Sequence, residues 1–245
     1  MNAAFVAATT SRVLTQLRRD RRTIALVLVV PCLLLWLFHE VFADQPLVFQ
    51  ATAPAMLGVF PFVTMFLVTS VIMVRERTSG TLERLLTTPL GKADLVLGYA
   101  LAFGLLAGVQ ALVAAGVALG LLGLDQPASV PVLLLLTVGN AVLGAALGLG
   151  LSALARTEFQ AVQFMPAVVL PQFLLCGLLV PTDRMATWLD WLSRVLPLRY
   201  AVEGMDRLTG AAAVTGLVWR DLIVVLGCAL VALLLGATTL RRTTA

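Results

Sequence analysis

Long apolar runs alternate with short charged segments along this chain of 245 residues. The runs consist mainly of Leu, Val, Ala and Gly, and they lack the alternation of polar and apolar residues that is typical of membrane β-barrels. A helix needs about 20 apolar residues to cross a bilayer core of about 30 Å. The pattern therefore predicts six membrane-spanning helices, at residues 23–43, 51–74, 95–124, 126–155, 159–182 and 222–240.

Composition supports this class of protein. Hydrophobic residues make up 60% of the chain, charged residues only 12%, and the mean hydropathy is +0.99. These values lie outside the range of soluble globular domains. No linker, repeat or low-complexity block divides the chain, so we predict an all-α integral membrane protein with a single domain over residues 1–245.

The distribution of Lys and Arg predicts the orientation. Twelve of the 17 basic residues precede the first span, follow the second and fourth, or follow the sixth. Subtracting the acidic residues gives 12 − 5 = +7 on that side and 5 − 8 = −3 on the other. Basic segments stay on the cytoplasmic side, so both termini are expected there. The positive balance indicates contact with anionic lipid headgroups rather than with nucleic acid.

The N-terminal segment is amphipathic. Apolar residues of segment 3–19 fall roughly on one face, and they are Phe5, Val6, Val13, Leu14 and Leu17. This spacing favours a helix that lies on the cytoplasmic membrane surface, with a frayed tail as the alternative. The first apolar run is longer than a signal-peptide core and no small-x-small site follows it, so a cleaved signal peptide is not expected.

Motifs for chemistry within the chain are missing from the sequence. The Gly91-Lys92 pair is followed by Ala and lacks the upstream Gly of a phosphate-binding loop. The single histidine, His39, precedes Glu40, but position 43 is Ala, so the pair does not begin a zinc-protease motif. We expect no catalytic, cofactor or metal site. The three cysteines lie within predicted spans and are interpreted as packing residues: Cys32, Cys176 and Cys228.

A short charged segment, "RERTSGTLERLLTTPLGKADL" at residues 75–95, separates the second and third spans. Ser79 and Gly80 favour the start of a helix, and Pro89 prevents its continuation. Between them lie an apolar face, formed by Leu82, Leu85 and Leu86, and two exposed charges, Glu83 and Arg84. Such a helix would suit a socket on a cytoplasmic partner. A solvated loop whose charges only set the topology is the alternative.

The sequence "RTSGTLERLLTTP", residues 77–89, resembles the coupling-helix signature of type-2 ATP-binding-cassette exporter permeases, in particular the drug and daunorubicin exporters. Three later stretches resemble the fifth-span exit and external segment of the same family: "CGLLVP" (176–181), "MATWL" (185–189) and "LPLRYAVEG" (196–204). Cys176 stands where Ser is common and Ala186 where Pro is common, and these departures concern the shape of the external loop.

The resemblance implies partners. Such permeases form a dimer with a second copy or a homologous permease in the bacterial cytoplasmic membrane, and each copy docks a separate ATPase subunit that binds ATP and Mg²⁺. The coupling helix would span residues 80–89. The docking residues would then be Arg77, Gly80, Thr81, Leu82, Glu83, Arg84, Leu85 and Pro89.

The segment between the fifth and sixth spans predicts two short external helices. Trp188, Trp191, Leu192 and Val195 recur at helical spacing, and the two Trp residues are typical of a headgroup boundary. Pro197 ends this helix, and a second runs from Tyr200 to residue 208. No charge in this segment is paired at a spacing that demands gating, so sealing and anchoring are favoured over a gate.

Polar residues and two helix-breaking prolines in the spans are candidates for a substrate path. They are Gln163, Pro166, Pro171 and Gln172 in the fifth span, Thr64, Thr69 and Ser70 in the second, and Gln110 in the third. Prolines free backbone carbonyls that need partners at this depth. No charged residue is expected at mid-membrane, which favours a hydrophobic or amphipathic substrate over an ion.

Small residues recur at multiples of four in two spans: Gly104, Gly108, Gly116 and Gly120 in the third, and Asn140, Gly144, Gly148 and Ser152 in the fourth. Both stripes predict close helix packing, with a hydrogen bond from Asn140 across the seam.

These observations predict the permease subunit of an exporter for a drug, antibiotic or lipid. The alternatives are a membrane scaffold or assembly protein without transport activity, and a permease for a polysaccharide or glycolipid. An intramembrane enzyme is disfavoured because nucleophile and base motifs are missing.

Overall fold

The structure, a computed structural model, describes residues 3–81, 91–125, 128–209 and 213–239. Within these ranges the chain forms nine α-helices and no strand. Their bounds are α1 (Ala3–Arg19), α2 (Arg21–Val41), α3 (Pro46–Thr78), α4 (Lys92–Gly120), α5 (Val130–Leu151), α6 (Glu158–Leu175), α7 (Thr187–Ser193), α8 (Pro197–Thr209) and α9 (Gly216–Thr239). The predicted all-α class is confirmed.

Five of these helices are long and apolar enough to cross a membrane: α2, α3, α4, α5 and α9. They correspond to five of the six predicted spans, although each begins and ends at other residues than predicted. The fifth predicted span, 159–182, corresponds to α6, which has 18 residues, contains three glutamines and is not among the five. Its predicted end was wrong, because the helix ends at Leu175. Gly177, with φ +97°, adopts the left-handed conformation that commonly ends a helix.

Helices α3 and α5 form the centre of the bundle, and most of their apolar stretches are buried. With 33 residues, α3 is about 50 Å long at 1.5 Å per residue, so it extends beyond a bilayer core of about 30 Å. By contrast, most of the apolar side chains of α2 and α9 are at least partly exposed. That distribution suits helices that face lipid rather than water.

The seam between α3 and α5 confirms one predicted stripe of small residues. A Cβ atom added to Gly144 would lie 2.2 Å from the carbonyl oxygen of Phe62, and one on Gly148 would lie 2.4 Å from that of Phe66. Asn140 donates its Nδ2 hydrogen to the carbonyl oxygen of Gly58 at 2.8 Å. The two backbones thus approach more closely than any larger residue would allow.

The corresponding prediction for α4 was wrong for contacts within this chain. A Cβ atom on any of the four glycines of that stripe would meet nothing within 4 Å: Gly104, Gly108, Gly116 and Gly120. Instead, α4 packs through an alanine face, which includes Ala107, Ala111, Ala114 and Ala118. Alanine already permits a close approach, so the glycines lie on the less covered side.

The connections define two ends of the bundle. At one end, α1 packs beside the beginning of α4, where Thr10 donates a hydrogen bond to the carbonyl oxygen of Gly98 at 3.2 Å. At the other, the amide of Ala128 donates to the carbonyl oxygen of Leu208 at 3.1 Å, which places α8 beside the α4–α5 connection. The predicted N-terminal helix over residues 3–19 is confirmed as α1, with Val13 and Leu17 buried.

Candidate functional site

The end of α3 carries a buried polar cluster. The hydroxyl of Tyr99, on α4, donates to Glu76 Oε2 at 2.8 Å, and Arg12 Nη2, on α1, donates to the Tyr99 hydroxyl at 2.6 Å. Arg12 Nη1 also lies 3.4 Å from Glu76 Oε2. Glu76 is 8% exposed and Tyr99 only 1%. We call Arg12, Glu76 and Tyr99 the junction triad, because they connect α1, α3 and α4.

A second contact links the end of α3 to α6. Arg75 donates from Nε and Nη2 to both carboxylate oxygens of Glu158, at 2.9 and 3.1 Å. Nearby, Asp20 caps the beginning of α2 by accepting hydrogen bonds from the hydroxyl and amide of Thr23, which lower the pKa of Asp20. Together these contacts surround the start of the predicted coupling segment with α1, α2, α4 and α6.

Most of the predicted coupling helix lies outside the described residues, including Leu82, Glu83, Arg84, Leu85 and Pro89. Of its described part, Gly80 has a φ of +70° in the turn that follows α3, and the hydroxyls of Ser79 and Thr81 lie 2.9 Å apart. Arg77 is half-buried in the last turn of α3. A cavity of about 260 Å³ adjoins this turn, between α1 and the end of α3.

The predicted path residues fall into two groups. Five of them are buried: Thr64, Thr69, Ser70, Gln110 and Gln172. Thr64 donates to the carbonyl oxygen of Phe60 at 2.8 Å, and Gln172 donates to that of Val168 at 3.2 Å, both within their own helices. Neither amide atom of Gln110, nor the hydroxyl of Ser70, has a hydrogen-bond partner among the described residues. Unpaired polar groups of this kind are costly in an apolar core.

The other three path residues, Gln163, Pro166 and Pro171, are exposed on one side of α6. Proline at positions 166 and 171 does not interrupt the helix, which runs from Glu158 to Leu175. The structure therefore separates the candidates on an accessible side of α6 from polar side chains enclosed within the bundle. It does not bring the eight predicted path residues together around one cavity at either end of the bundle.

At the opposite end, α7 turns its predicted apolar face outward. Trp188 is 68% exposed, Trp191 65% and Val195 77%, whereas Ser193 on the other face is buried. The following helix, α8, begins at Pro197 rather than at the predicted Tyr200. Proline suits the first position of a helix because its missing amide hydrogen is not needed there. The Tyr200 hydroxyl donates to the carbonyl oxygen of Arg194 at 2.8 Å.

A network of ion pairs joins α7, α8 and α9 at this end. Arg199 contacts Asp190 and Glu203, each at 2.6 Å, and Arg207 contacts Glu203 at 2.7 Å. Arg207 and Arg220 both bond to Asp221, which is fully buried at the beginning of α9. Arg194 completes the set through Asp190 at 2.6 Å. We call these residues the arginine network: Asp190, Arg194, Arg199, Glu203, Arg207, Arg220 and Asp221.

The charges of this segment are therefore paired with one another, although no pairing at a spacing that demands gating was expected. Arg199, Glu203 and Arg207 lie at i, i+4 and i+8, a spacing that places them side by side on a helix and is visible in the sequence. Their further partners, Asp190 and Asp221, come from other helices, and no spacing rule would have connected them.

The arginine network borders a cavity of about 580 Å³ that opens at this end of the bundle. Hydrogen bonds from Arg199 and Arg194 lower the pKa of Asp190. Loss of hydration, together with the nearby negative charge of Glu203, raises the pKa of Asp206, which also lines the cavity, to about 6. The pKa values of Asp190 and Asp206 are thus shifted in opposite directions.

Among the residues that the structure describes, no group of His, Cys, Asp and Glu could hold a metal ion. The three cysteines are free thiols; Cys176 is buried, and Cys32 and Cys228 are partly buried.

The sequence profile of the ABC-2 type transporter family matches residues 5–207. The chain is 30% identical over 176 residues to ABC transporter G family member 20 of Dictyostelium discoideum. The aligned region covers 71% of this chain and 24% of the relative.

Two bacterial relatives come from Escherichia coli. The probable multidrug ABC transporter permease YbhR is 27% identical over 173 residues, covering 69% of this chain and 46% of the relative. The probable multidrug ABC transporter permease YbhS is 29% identical over 145 residues, covering 58% and 38%. The matched region thus spans less than half the length of these curated relatives.

Proposed function

Because the chain belongs to the ABC-2 type transporter family, we propose that it is the permease subunit of an exporter driven by a separate ATPase subunit. The observation that carries the proposal is the set of contacts around the end of α3. There, the junction triad and the Arg75–Glu158 pair tie α1, α4 and α6 to the residues that precede the predicted coupling helix. A displacement of that segment would be passed to several helices at once.

The burial of the junction triad supports a rigid connection. Tyr99 and Glu76 are almost fully enclosed, and a hydrogen bond to a charged group is worth about 1.5–3 kcal/mol. Helix α3 therefore moves together with α1 and α4 where the coupling segment begins. Since α3 is also the central helix of the bundle, its rotation or tilt changes the surroundings of every neighbour.

We further propose that the substrate is hydrophobic or amphipathic and passes along the exposed side of α6. Gln163, Pro166 and Pro171 lie there beside exposed apolar residues such as Leu170 and Leu174. This mixture suits a molecule that carries both apolar surface and hydrogen-bonding groups. The names of the two bacterial relatives, which are described as probable multidrug permeases, agree with such a substrate. A second permease copy would enclose this side of α6.

Co-purification tests the proposal. The tagged full chain is purified from its native membranes in a mild detergent, as wild type and as Glu83→Lys. We expect an ATPase subunit to accompany the wild type, and the charge reversal in the predicted coupling helix to reduce its yield. Glu40→Lys is the matched control, because Glu40 is an exposed carboxylate at the opposite end of α2 from the α1 junction.

Stimulation of ATP hydrolysis then tests transport. The purified complex is reconstituted in lipid, and its ATPase rate is measured with a panel of amphipathic drugs. Stimulation by a subset of them supports an exporter. A wild-type chain that brings down no ATPase would contradict the proposal and favour a membrane scaffold.

A further inference from the structure

The cavity beside α7, α8 and α9 presents more positive than negative charge. Four arginines line it, Arg194, Arg199, Arg207 and Arg220, together with the carboxylates Glu203 and Asp206. The balance of the lining is therefore 4 − 2 = +2, whereas the whole cluster, with Asp190 and Asp221, is balanced at 4 − 4 = 0. Two further carboxylates of the arginine network stand behind the wall: Asp221 is fully buried, and Asp190 does not line the cavity.

Two of these arginines have N–H groups that are free to donate hydrogen bonds to a ligand in the cavity. Arg194 and Arg220 have side chains that are 55% and 50% exposed, and each binds its carboxylate through Nε and Nη2. Their Nη1 groups have no protein partner among the described residues. An arginine fork that is already held by a carboxylate is preorganised, so it loses little side-chain entropy when it binds a second anion.

The position of α7 indicates that an anion bound in this cavity would belong to a lipid. Its outward face carries Trp188, Trp191, Leu192 and Val195, all exposed and all apolar. Trp residues with this exposure belong at the boundary between lipid chains and headgroups. Arg194 links this face to the cavity, because its guanidinium carbon lies 5.2 Å from the centre of the Trp191 ring and the residue also lines the cavity.

We propose that this cavity binds the phosphate of an anionic phospholipid headgroup whose acyl chains lie against the apolar face of α7. A volume of about 580 Å³ accommodates a glycerophosphate headgroup and falls within the usual range of small-molecule sites. Arginine binds phosphate oxygens through paired, charge-assisted hydrogen bonds. The bound lipid would fix α7 and α8 against α9. This inference does not rest on the proposed exporter role.

Lipid titration tests the site. The full chain is purified in a non-ionic detergent, and binding of phosphatidylglycerol and of phosphatidylcholine is followed by native mass spectrometry. We expect phosphatidylglycerol to bind more tightly. The double variant Arg194→Gln/Arg220→Gln should weaken that binding about tenfold or more, as expected for the loss of charge-assisted hydrogen bonds.

The double variant is designed to preserve the fold. Asp190 keeps its contact with Arg199, and Asp221 keeps its contact with Arg207, so neither carboxylate loses its last partner. The matched control is Arg184→Gln, which removes an exposed arginine from the same connection without altering the cavity lining. If the double variant fails to fold, Arg194→Gln alone is measured, with Arg194→Lys as the partner that keeps the charge but loses the fork.

Inorganic phosphate separates the two sources of this chemistry. It is added at millimolar concentration, and the unfolding temperature of the full chain is compared with and without it. A lipid site predicts stabilisation by phosphatidylglycerol but little by inorganic phosphate. Equal effects of phosphate, abolished in the double variant, would overturn the lipid assignment in favour of a soluble anion. Equal binding of both lipids, or an unchanged double variant, would overturn the site itself.

Discussion

Tyr99 and Glu76 are joined by a hydrogen bond of 2.8 Å that ties the beginning of α4 to the end of α3. The pair lies almost entirely out of contact with solvent, and Arg12 of α1 donates to the same tyrosine hydroxyl. Three helices, of which α1 is distant in the sequence from the other two, therefore share one polar contact next to the predicted coupling segment. A charge as buried as that of Glu76 is tolerated in a hydrophobic protein only where hydrogen-bond donors replace the lost hydration.

Replacing Tyr99 with Phe should destabilise the protein by about 1.5–3 kcal/mol, because Glu76 loses its shortest hydrogen bond and keeps only the longer contact with Arg12. The measurement is thermal unfolding in detergent. Tyr200→Phe provides the control, since Tyr200 is only partly buried and donates an exposed hydrogen bond to a neutral carbonyl oxygen. Equal losses of stability in the two variants would show that Glu76 gains nothing particular from Tyr99.

Gly144→Ala should destabilise the bundle by about 1–3 kcal/mol or prevent folding, because the new methyl group would overlap the backbone of Phe62. Gly108→Ala is matched to it, as a glycine in the middle of α4 with open space around its Cβ position. That control should be neutral, or stabilise by up to about 1 kcal/mol through helix propensity. Comparable unfolding temperatures for both variants would contradict the close α3–α5 seam.

The Arg75–Glu158 pair should contribute little to stability despite its two-pronged geometry. Both side chains are about half exposed, at 56% and 46%, and exposed ion pairs are worth at most about 1 kcal/mol. A double-mutant cycle with Arg75→Ala and Glu158→Ala measures the coupling energy. A value well above 1 kcal/mol would mean that the pair is shielded from water, for example by a partner chain.

Asp206 should make stability depend on pH. Its pKa is raised from 3.8 to about 6 by loss of hydration and by Glu203, with Arg207 partly opposing the shift. The folded state thus favours the protonated form, so its contribution is fully present below pH 3.8 and is lost as the pH rises through about 6. Because Asp206 is exposed at the surface of α8, water weakens the effect, and unfolding temperatures measured from pH 4 to pH 8 should fall only modestly.

The variant Asp206→Asn should remove that part of the pH dependence, while Asp183→Asn, at an exposed carboxylate of the same connection, should leave it in place. An unchanged pH profile in Asp206→Asn would show that another group is responsible.

Much of the helical architecture follows from local pattern. The amphipathic spacing over residues 3–19 predicted α1 with the bounds that the structure shows, and five apolar runs became helices long enough to span a membrane. A helix satisfies its own backbone hydrogen bonds, so an apolar run determines its existence without reference to the rest of the fold. The end of α6 was less predictable, because Gly177 ended a helix whose apolar run continues.

The sequence by itself determined the all-α membrane class, the helical segments and the presence of small-residue stripes. Only the tertiary structure decided that the glycines of α5 meet the backbone of α3 while those of α4 meet nothing, since equal spacing does not say which face finds a neighbour. The same holds for charge: Arg199, Glu203 and Arg207 are one helical turn apart in the sequence, but Asp221 reaches Arg207 only because α9 packs beside α8. Contacts within one helix depend on spacing along the chain, whereas contacts between helices depend on how the whole bundle packs.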